Sequence, residues 1–292
     1  MTLSVIGLVL FSTFMHASWN LLARYGRSES TFYPKMLIAI AAAGLIPAVW
    51  SEVVTHSLTP QAWMCVVGSG FSAGLYLFFL ARAFESSDFT IVYPVARSLP
   101  VIFVAIGDVL RGRQLTSMGW LGILLVAAGC VLVPRRSFRD FSLRRYFNRS
   151  TLWMLLAALG TVGYTLLDKI AAEVVQQGPD TAARYGYFYF VISYLPYVLL
   201  LRFSKSGAPG MNRPEWKLAV PAAALSFGAY WLILWAYQLS PYASYIVAFR
   251  QFSIVIGAIM AFVIYKEQGV WVRLTGAGFI TSGLVLIAGW GR

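Results

Sequence analysis

Two arginines lie inside stretches that are otherwise apolar enough to cross a membrane. Arg97 lies in FTIVYPVARSLPVIFVAIGDVL (89–110), and Arg250 lies in ASYIVAFRQFS (243–253). A charge near the bilayer centre costs at least ~2.5–3.5 kcal/mol, so it usually faces a cavity or a partner and marks function. The planar guanidinium suits carboxylate, phosphate and phosphonate groups. The two arginines therefore predict a binding site for an acidic group, with a structural ion pair as the alternative.

Carboxylates are scarce in the same apolar stretches. Asp168 is the one clearly inside such a stretch, whereas Asp108 lies at the end of one and Glu267 just outside another. The excess of positive charge favours an anionic or zwitterionic substrate. Asp168 keeps a cation exporter open as an alternative, and together with His16 it is a candidate for proton coupling.

Polar and aromatic residues extend the predicted site. Asn20 lies one helical turn after His16 on the same helix face. Tyr230 and Trp235 lie deep enough to stack on a substrate or to hold an amine by a cation–π contact. His16 could instead make a satisfied polar contact, and aromatic residues near helix ends could form an interfacial belt. The predicted substrate-binding residues are Arg97, Arg250, Tyr230, Trp235, Asn20 and Tyr93.

Prolines and lysines in the apolar stretches raise separate expectations. Pro94 and Pro100 each remove a backbone donor, and broken helices commonly line transport sites. We therefore expect a disturbed helix around Arg97, with a plain packing kink as the alternative. Lys35 and Lys169 lie near helix ends, where their stems can carry the charge to the interface.

The composition is that of an integral membrane protein. The chain of 292 residues is 59% hydrophobic and 12% charged, against roughly 45–50% and ~25% in soluble domains. The net charge of +12 reflects basic loops rather than nucleic-acid binding. Cys65 and Cys130 lie in apolar stretches, so we predict neither a disulfide nor a metal site. No enzyme motif or P-loop occurs, so no catalysis and no cofactor is predicted.

Ten stretches are long enough to cross a ~30 Å hydrocarbon core as helices. We predict an all-α integral membrane protein with ten transmembrane helices. The predicted spans lie near 3–24, 32–50, 62–83, 89–109, 116–134, 151–171, 181–203, 217–238, 243–264 and 273–290. An Arg-rich loop divides them into five and five.

The two sets of five spans resemble each other. Arg97 aligns with Arg250, and Asn20 aligns with Asp168 when the first and sixth spans are superposed. Because five is odd, the second set must enter the membrane from the opposite side, which gives two inverted five-helix repeats. We predict a first repeat at 1–134, a linker loop at 135–150 and a second repeat at 151–292.

Several motifs resemble the EamA-type branch of the drug/metabolite transporter superfamily. YKEQGVWVRLTGAGFITSGLVLI (265–287) is similar to the ending of that family's repeat: a Glu, a short basic linker and a Gly-rich helix. The first half departs from it, since Gln114 stands where the Glu would be. MHASWN (15–20) and YPVAR (93–97) resemble a subgroup in which some members are associated with phosphonate use. The resemblance implies ten helices, a central cavity between the halves and alternating access, but no particular substrate.

We expect a secondary transporter or exporter of a small polar organic metabolite, anionic or zwitterionic, such as an amino acid, a phosphonate or a phosphorylated compound. The alternative is a flippase or scramblase for a lipid or polyprenyl-phosphate headgroup, which a side opening between helices would favour. A membrane enzyme acting on lipid phosphate lacks a His/Asp/Glu constellation. The expected partners are the substrate and the lipid bilayer, without nucleic acid; a homodimer stays open.

Basic residues predict how the chain is oriented. Of the 23 Lys and Arg residues, fifteen lie in loops after odd-numbered spans and four on the other side. The positive-inside rule then puts the Arg-rich loop in the cytoplasm and both termini outside, in a bacterial inner membrane. Many family members are drawn with both termini inside, and we follow the charge bias of this chain.

Overall fold

The protein is an all-helical bundle in the computed structural model, which describes residues 1–25, 29–86, 89–135, 137–138, 149–203, 216–265 and 270–291. These ranges contain eleven helices and no strand. The helices are α1 Leu3–Tyr25, α2 Glu29–Thr55, α3 Pro60–Ser86, α4 Phe89–Leu110, α5 Ser117–Leu132, α6 Arg149–Val174, α7 Pro179–Phe203, α8 Trp216–Leu239, α9 Ala243–Arg250, α10 Phe252–Tyr265 and α11 Val270–Trp290.

The predicted all-α, multi-pass membrane fold is confirmed. Each predicted span corresponds to a helix, and α9 and α10 together form the ninth span. Among the described residues, seven helices are long and apolar enough to cross a membrane, and Ser117–Leu132 and Ala243–Ile259 are shorter apolar helices. Most helices extend a few residues beyond the apolar stretch that predicts them, because polar residues at the ends can continue the backbone ladder into the interface.

The disturbed helix lies in a different span from the predicted one. α4 is helical from Phe89 to Leu110, across both Pro94 and Pro100, so the expectation of a break there is wrong. Transmembrane helices tolerate proline where neighbouring groups satisfy the freed carbonyl. The interruption lies at Gln251, between α9 and α10, and no proline adjoins it.

Glycines set the contact between α5 and α11. A Cβ atom at Gly122 would lie 2.7 Å from the carbonyl oxygen of Gly283, and one at Gly129 would lie 2.6 Å from that of Gly276. The two backbones therefore touch, as small residues permit in membrane helix pairs. This contact joins the last span of each half of the chain.

The remaining helices pack around the centre of the bundle. α3 packs on α6, α1 packs on α8, α2 packs on α7, and α4 packs on α6 and α9. These contacts join helices of the first half of the chain to helices of the second.

Candidate binding cavity

A cavity of about 120 Å³ lies between the two halves of the bundle. Arg97 and Arg250 are the charged side chains among its described lining residues, and no carboxylate is among them. The two arginines that the sequence singles out therefore line one cavity. Its other polar or aromatic lining residues are His16, Trp19, Asn20, Tyr33, Tyr76, Tyr164, Tyr189, Phe190, Ser193, Ser226 and Tyr230.

Arg97 contacts the ring of His16. A terminal nitrogen of its guanidinium lies 2.9 Å from His16 Nε2, and the Trp19 indole nitrogen lies 3.2 Å from His16 Nδ1. Both neighbours can only donate, whereas a neutral imidazole offers a single acceptor nitrogen. Only one of the two contacts can therefore be a hydrogen bond at any moment. A protonated imidazole would have no acceptor for either Arg97 or Trp19.

Asn20 lies beside this group on α1. Its amide nitrogen donates to the carbonyl oxygen of His16 at 2.7 Å. The side chain is thus held against its own helix while it lines the cavity. His16 and Asn20 both lie where the sequence predicts, one turn apart at the cavity wall.

Asp168 is buried beside the cavity rather than lining it. Its carboxylate is 1% exposed and accepts hydrogen bonds from the hydroxyl groups of Ser69, Tyr185 (2.8 Å) and Tyr230. A buried charge needs such partners, because its desolvation is otherwise very costly. Hydroxyl groups from α3, α7 and α8 therefore surround the carboxylate.

Tyr230 separates Asp168 from Arg250. Its hydroxyl binds Asp168, and the central carbon of the Arg250 guanidinium lies 5.5 Å from the centroid of its ring. That distance is within the range of a cation–π contact. Tyr189 stacks on the same ring, with centroids 4.5 Å apart and an interplanar angle of 25°. The tyrosine ring is thus fixed from three sides.

The guanidinium of Arg250 keeps its donors available. Its guanidinium lies over the Tyr230 ring in a cation–π contact, and within the described residues it makes no hydrogen bond or ion pair. Because a guanidinium carries five N–H donors, this cation is equipped to bind an acceptor that enters the cavity.

The break in the ninth span lies directly after Arg250. The backbone N–H of Gln251 donates to the carbonyl oxygen of Ala248 at 3.0 Å, and the backbone N–H of Ile254 donates to that of Gln251 at 2.9 Å. Each bond spans three residues instead of four, so the chain makes a tighter turn there. Such turns often mark hinges within helices. The Ser253 hydroxyl donates to the Arg250 carbonyl oxygen at 2.8 Å and satisfies an acceptor that the break would leave free. The break therefore positions Arg250 at the end of α9.

Two of the predicted site residues are not among the described residues that line the cavity. Trp235 is partly buried against the core and is not among the described lining residues. It lies five residues after Tyr230, which is about 140° around the helix. Tyr93 belongs to the part of α4 whose side chains lie outside the described residues.

An ion-pair network, absent from the sequence-based prediction, lies where α4 and α6 end. Glu173 accepts from Arg111 at 2.6 Å, from Arg113 at 2.9 Å and from Lys169 at 3.1 Å. Lys169 also donates to the carbonyl oxygen of Tyr237 at 2.8 Å. The Lys169 side chain is only 3% exposed, so the expectation that it reaches the interface is wrong: a nearby carboxylate and carbonyl bind it inside the bundle. We call Lys169, Glu173, Arg111 and Arg113 the Glu173 network.

A second polar contact lies beside this network. Asp108 accepts a hydrogen bond from the backbone nitrogen of Ser244 at 2.8 Å. The carboxylate therefore satisfies a free N–H group in the first turn of α9, where a negative charge is also favoured. Together with the Glu173 network, this contact ties the end of α4 to the second half of the chain.

A multi-pass helical membrane protein with a cationic cavity at its centre is the class that the fold and the cavity define. The model of the EamA-like transporter family matches residues 3–134 and again residues 148–289. The chain therefore belongs to the EamA-like transporter family and is a membrane transporter, as the sequence motifs predict. The family name points to transport rather than catalysis.

Two further similarities agree with this assignment. An uncharacterized transporter in the cobO 3' region of Sinorhizobium sp is 27% identical over 112 residues, which cover 38% of this chain and 79% of that protein. A solved crystal structure aligns with a TM-score of 0.72 at 16% identity and covers 99% of both chains. At that identity the crystal structure supports the fold alone.

Proposed function

We propose that the protein is a secondary transporter of a small metabolite that carries a carboxylate, phosphate or phosphonate group. The observation that carries this proposal is the guanidinium of Arg250, which lines the cavity and makes no hydrogen bond within the described residues. Arg97 lines the same cavity from α4. Two guanidinium groups facing one small volume form the kind of site that binds acidic groups in a planar, bidentate way.

The charge balance of the cavity supports an acidic rather than a cationic substrate. Asp168, the carboxylate that would attract a cation, already accepts three hydroxyl hydrogen bonds and lies behind the Tyr230 ring. A cationic substrate would instead meet Arg97 and Arg250, and like charges brought together cost several kcal/mol. The volume of about 120 Å³ is below the ~300–1,000 Å³ of drug-sized sites, which favours a small metabolite.

Alternating access is supported by the unequal ends of the cavity. Its lining residues on α1 and α3 lie in the second halves of those helices, and those on α2 and α4 lie in the first halves. The cavity thus extends toward the loops that follow odd-numbered spans. On the opposite side, the Glu173 network joins α4 of the first half to α6 of the second. We propose that transport opens this closed side by breaking those ion pairs.

An inverted repeat is supported by helix pairs that occur in equivalent form when the two halves of the chain are exchanged. α3 packs on α6, and the equivalent pair under exchange of the two halves, α8 with α1, also packs together. The α5–α11 pair is its own equivalent. The family model also matches the chain twice. We propose two five-helix repeats at 1–134 and 151–292, joined by the linker 135–150, that move against each other around the cavity.

We propose a bacterial inner membrane location with the Arg-rich loop in the cytoplasm. The fifteen-to-four distribution of basic residues supports this orientation, in which the cavity opens to the cytoplasm. A reporter enzyme that is active only in the periplasm tests it: fused after Arg292 it should be active, and a silent fusion would reverse the orientation.

Proton coupling is proposed through His16. The charged side chains of the described cavity, Arg97 and Arg250, both disfavour a cationic imidazole. A proton delivered to His16 would remove the acceptor that holds Arg97. Asp168 is the other proton-site candidate, with Tyr230 between it and Arg250. In this scheme, protonation breaks the contact between Arg97 and His16 when the substrate binds, and deprotonation restores it.

Transport in proteoliposomes tests the substrate proposal. A thermal-shift screen against amino acids, phosphonates and phosphosugars first identifies a ligand, because a ligand that binds only the folded state raises the melting temperature. Uptake of that ligand should be lost in Arg97→Ala and in Arg250→Ala. Arg202→Ala, at an exposed arginine in the last turn of α7, is the matched control and should transport normally. If both cavity variants transport like the parent, the acidic-group site does not exist.

A further inference from the structure

A second cavity lies on the side of the bundle, between α2, α7 and α8. Its volume is about 730 Å³, and none of its described lining residues lines the central cavity. Small side chains form its walls. They include Ala43, Gly44, Pro47, Ala48, Ala223 and Ala224. We call this cavity the lateral groove.

The floor of the lateral groove is fixed by Tyr187. Its ring packs against Gly44 so closely that a Cβ atom there would overlap it, and its hydroxyl donates to the carbonyl oxygen of Ala41 at 3.2 Å. The tyrosine is buried and holds α2 against α7. The space above it is therefore a built feature of three packed helices.

One end of the groove is polar. Arg184 donates from Nε to Ser57 at 2.9 Å and from its two terminal nitrogens to Ser51 at 2.7 Å and Thr181 at 3.1 Å. Its Nε also lies 3.4 Å from Glu52. Three of the five N–H donors of the guanidinium are thus used within the described residues. Two donors are left without a hydrogen bond among these contacts, and Arg184 lines the groove.

A carboxylate lies one turn before this arginine. Asp180 is exposed in the first turn of α7, and within the described residues it makes no hydrogen bond or ion pair. The polar end therefore presents a free carboxylate beside a guanidinium with spare donors. An occupant with a cationic amine next to an anionic acceptor would complement both.

The dimensions and the setting of the groove match a lipid. On α2 the lining runs from Ala39 to Thr55, sixteen residues along, which is about 24 Å at the rise of an α-helix. One half of a hydrocarbon core is about 15 Å deep. The groove also continues the apolar outer surface of the bundle, where Ile46 is 80% and Val220 53% exposed. An acyl chain could thus enter it from the bilayer.

We propose that the lateral groove binds one zwitterionic phospholipid with a primary ammonium headgroup. Its ammonium pairs with Asp180, its phosphate accepts from Arg184, and an acyl chain fills the groove above Tyr187. The lipid bridges α2 of the first half of the chain to α7 and α8 of the second. This site is separate from the transport cavity and does not depend on what that cavity carries.

Native mass spectrometry of the purified protein with defined lipids tests the proposal. The parent should retain phosphatidylethanolamine in preference to phosphatidylcholine and phosphatidylglycerol. Asp180→Asn should reduce its retention about tenfold, because a charge-assisted hydrogen bond is lost. Asp180→Glu should restore retention, which separates the contact from a folding defect. Ala224→Phe, which fills the groove, should lower the retention of all three lipids.

Two controls make the outcome decisive. Leu121→Phe changes an exposed apolar residue of α5 outside the groove and should retain lipid like the parent. A phosphatidylethanolamine with a photoactivatable acyl chain should crosslink to residues 39–55 and 220–227. Unchanged retention in both Asp180→Asn and Ala224→Phe would overturn the proposal. Loss of the lipid on Arg250→Ala would also overturn it, since the lipid would then occupy the central cavity.

Discussion

Glu173→Gln should open the closed side of the transporter. The carboxylate of Glu173 is bound by Arg111, Arg113 and Lys169, at 2.6, 2.9 and 3.1 Å. The two arginines belong to the first half of the chain and Glu173 to the second. Glutamine has nearly the same shape but no charge, so the substitution removes the attraction between the halves while leaving the packing in place.

The size of the effect follows from exposure. Arg113 and Glu173 are 40% and 30% exposed, so the arginine pairs contribute about 0.2–1 kcal/mol each. Lys169 belongs to α6, like Glu173, so its ion pair does not join the two halves. The two arginine pairs together stabilise the closed side by up to about 2 kcal/mol. Losing about 1–2 kcal/mol raises the open population by a factor of about 5–30.

A single cysteine measures the opening. Ser244 is fully buried beside this network, and a cysteine there keeps the backbone N–H that Asp108 binds. The measurement uses a background without Cys65 and Cys130. A membrane-impermeant maleimide is added from the side of the loops that follow even-numbered spans. It should label the cysteine of Ser244→Cys about 5–30 times faster when Glu173→Gln is also present than when it is absent.

The outcome that refutes this reasoning is specific. A labelling rate within twofold of the parent would show that the Glu173 network does not hold the side closed. Asp140→Asn, in the Arg-rich loop, removes a carboxylate from another part of the sequence and is the control. Equal acceleration in that variant would mean that net charge, rather than the network, sets the rate.

Three further predictions concern the core of the bundle. Tyr230→Phe keeps the ring beneath Arg250 but removes a donor to Asp168, so thermal unfolding should show a loss of about 1–3 kcal/mol with ligand affinity largely retained. Tyr230→Ala also removes the cation–π contact and should weaken ligand binding in the same thermal-shift assay; equal binding would contradict the role of the ring. Gly129→Leu forces the backbones of α5 and α11 apart at Gly276 and should cost about 1–3 kcal/mol, measured against Gly278→Leu, where a Cβ meets open space.

Much of the architecture is readable from the sequence because a bilayer imposes simple length and polarity rules. Apolar stretches of about 20 residues had to be helices, since only internal hydrogen bonds satisfy the backbone there. The convergence of Arg97 and Arg250 was also accessible, because the two arginines align when the two halves of the sequence are compared.

Other features depend on tertiary geometry that local patterns do not encode. Trp235 shares a helix with Tyr230 but faces elsewhere, which an exact helix rotation could have indicated. The spacing of Lys169 and Glu173 is visible as an i,i+4 pair, whereas their meeting with Arg111 requires the end of α4 to lie beside α6. No proline next to Arg250 indicates the break after it. The lateral groove exists because small side chains on three packed helices leave space, and the sequence alone does not show that these helices meet.

A binding measurement in which both the ligand's acid group and Arg250 are changed tests the central claim most directly. The affinity of the identified acidic ligand and of its neutral amide is measured for the parent and for Arg250→Gln. If Arg250 binds the acid group, the substitution should weaken the acid by about tenfold or more and leave the amide nearly unchanged. Equal losses for both ligands, or none for the acid, would contradict a cationic site for an acidic substrate at Arg250.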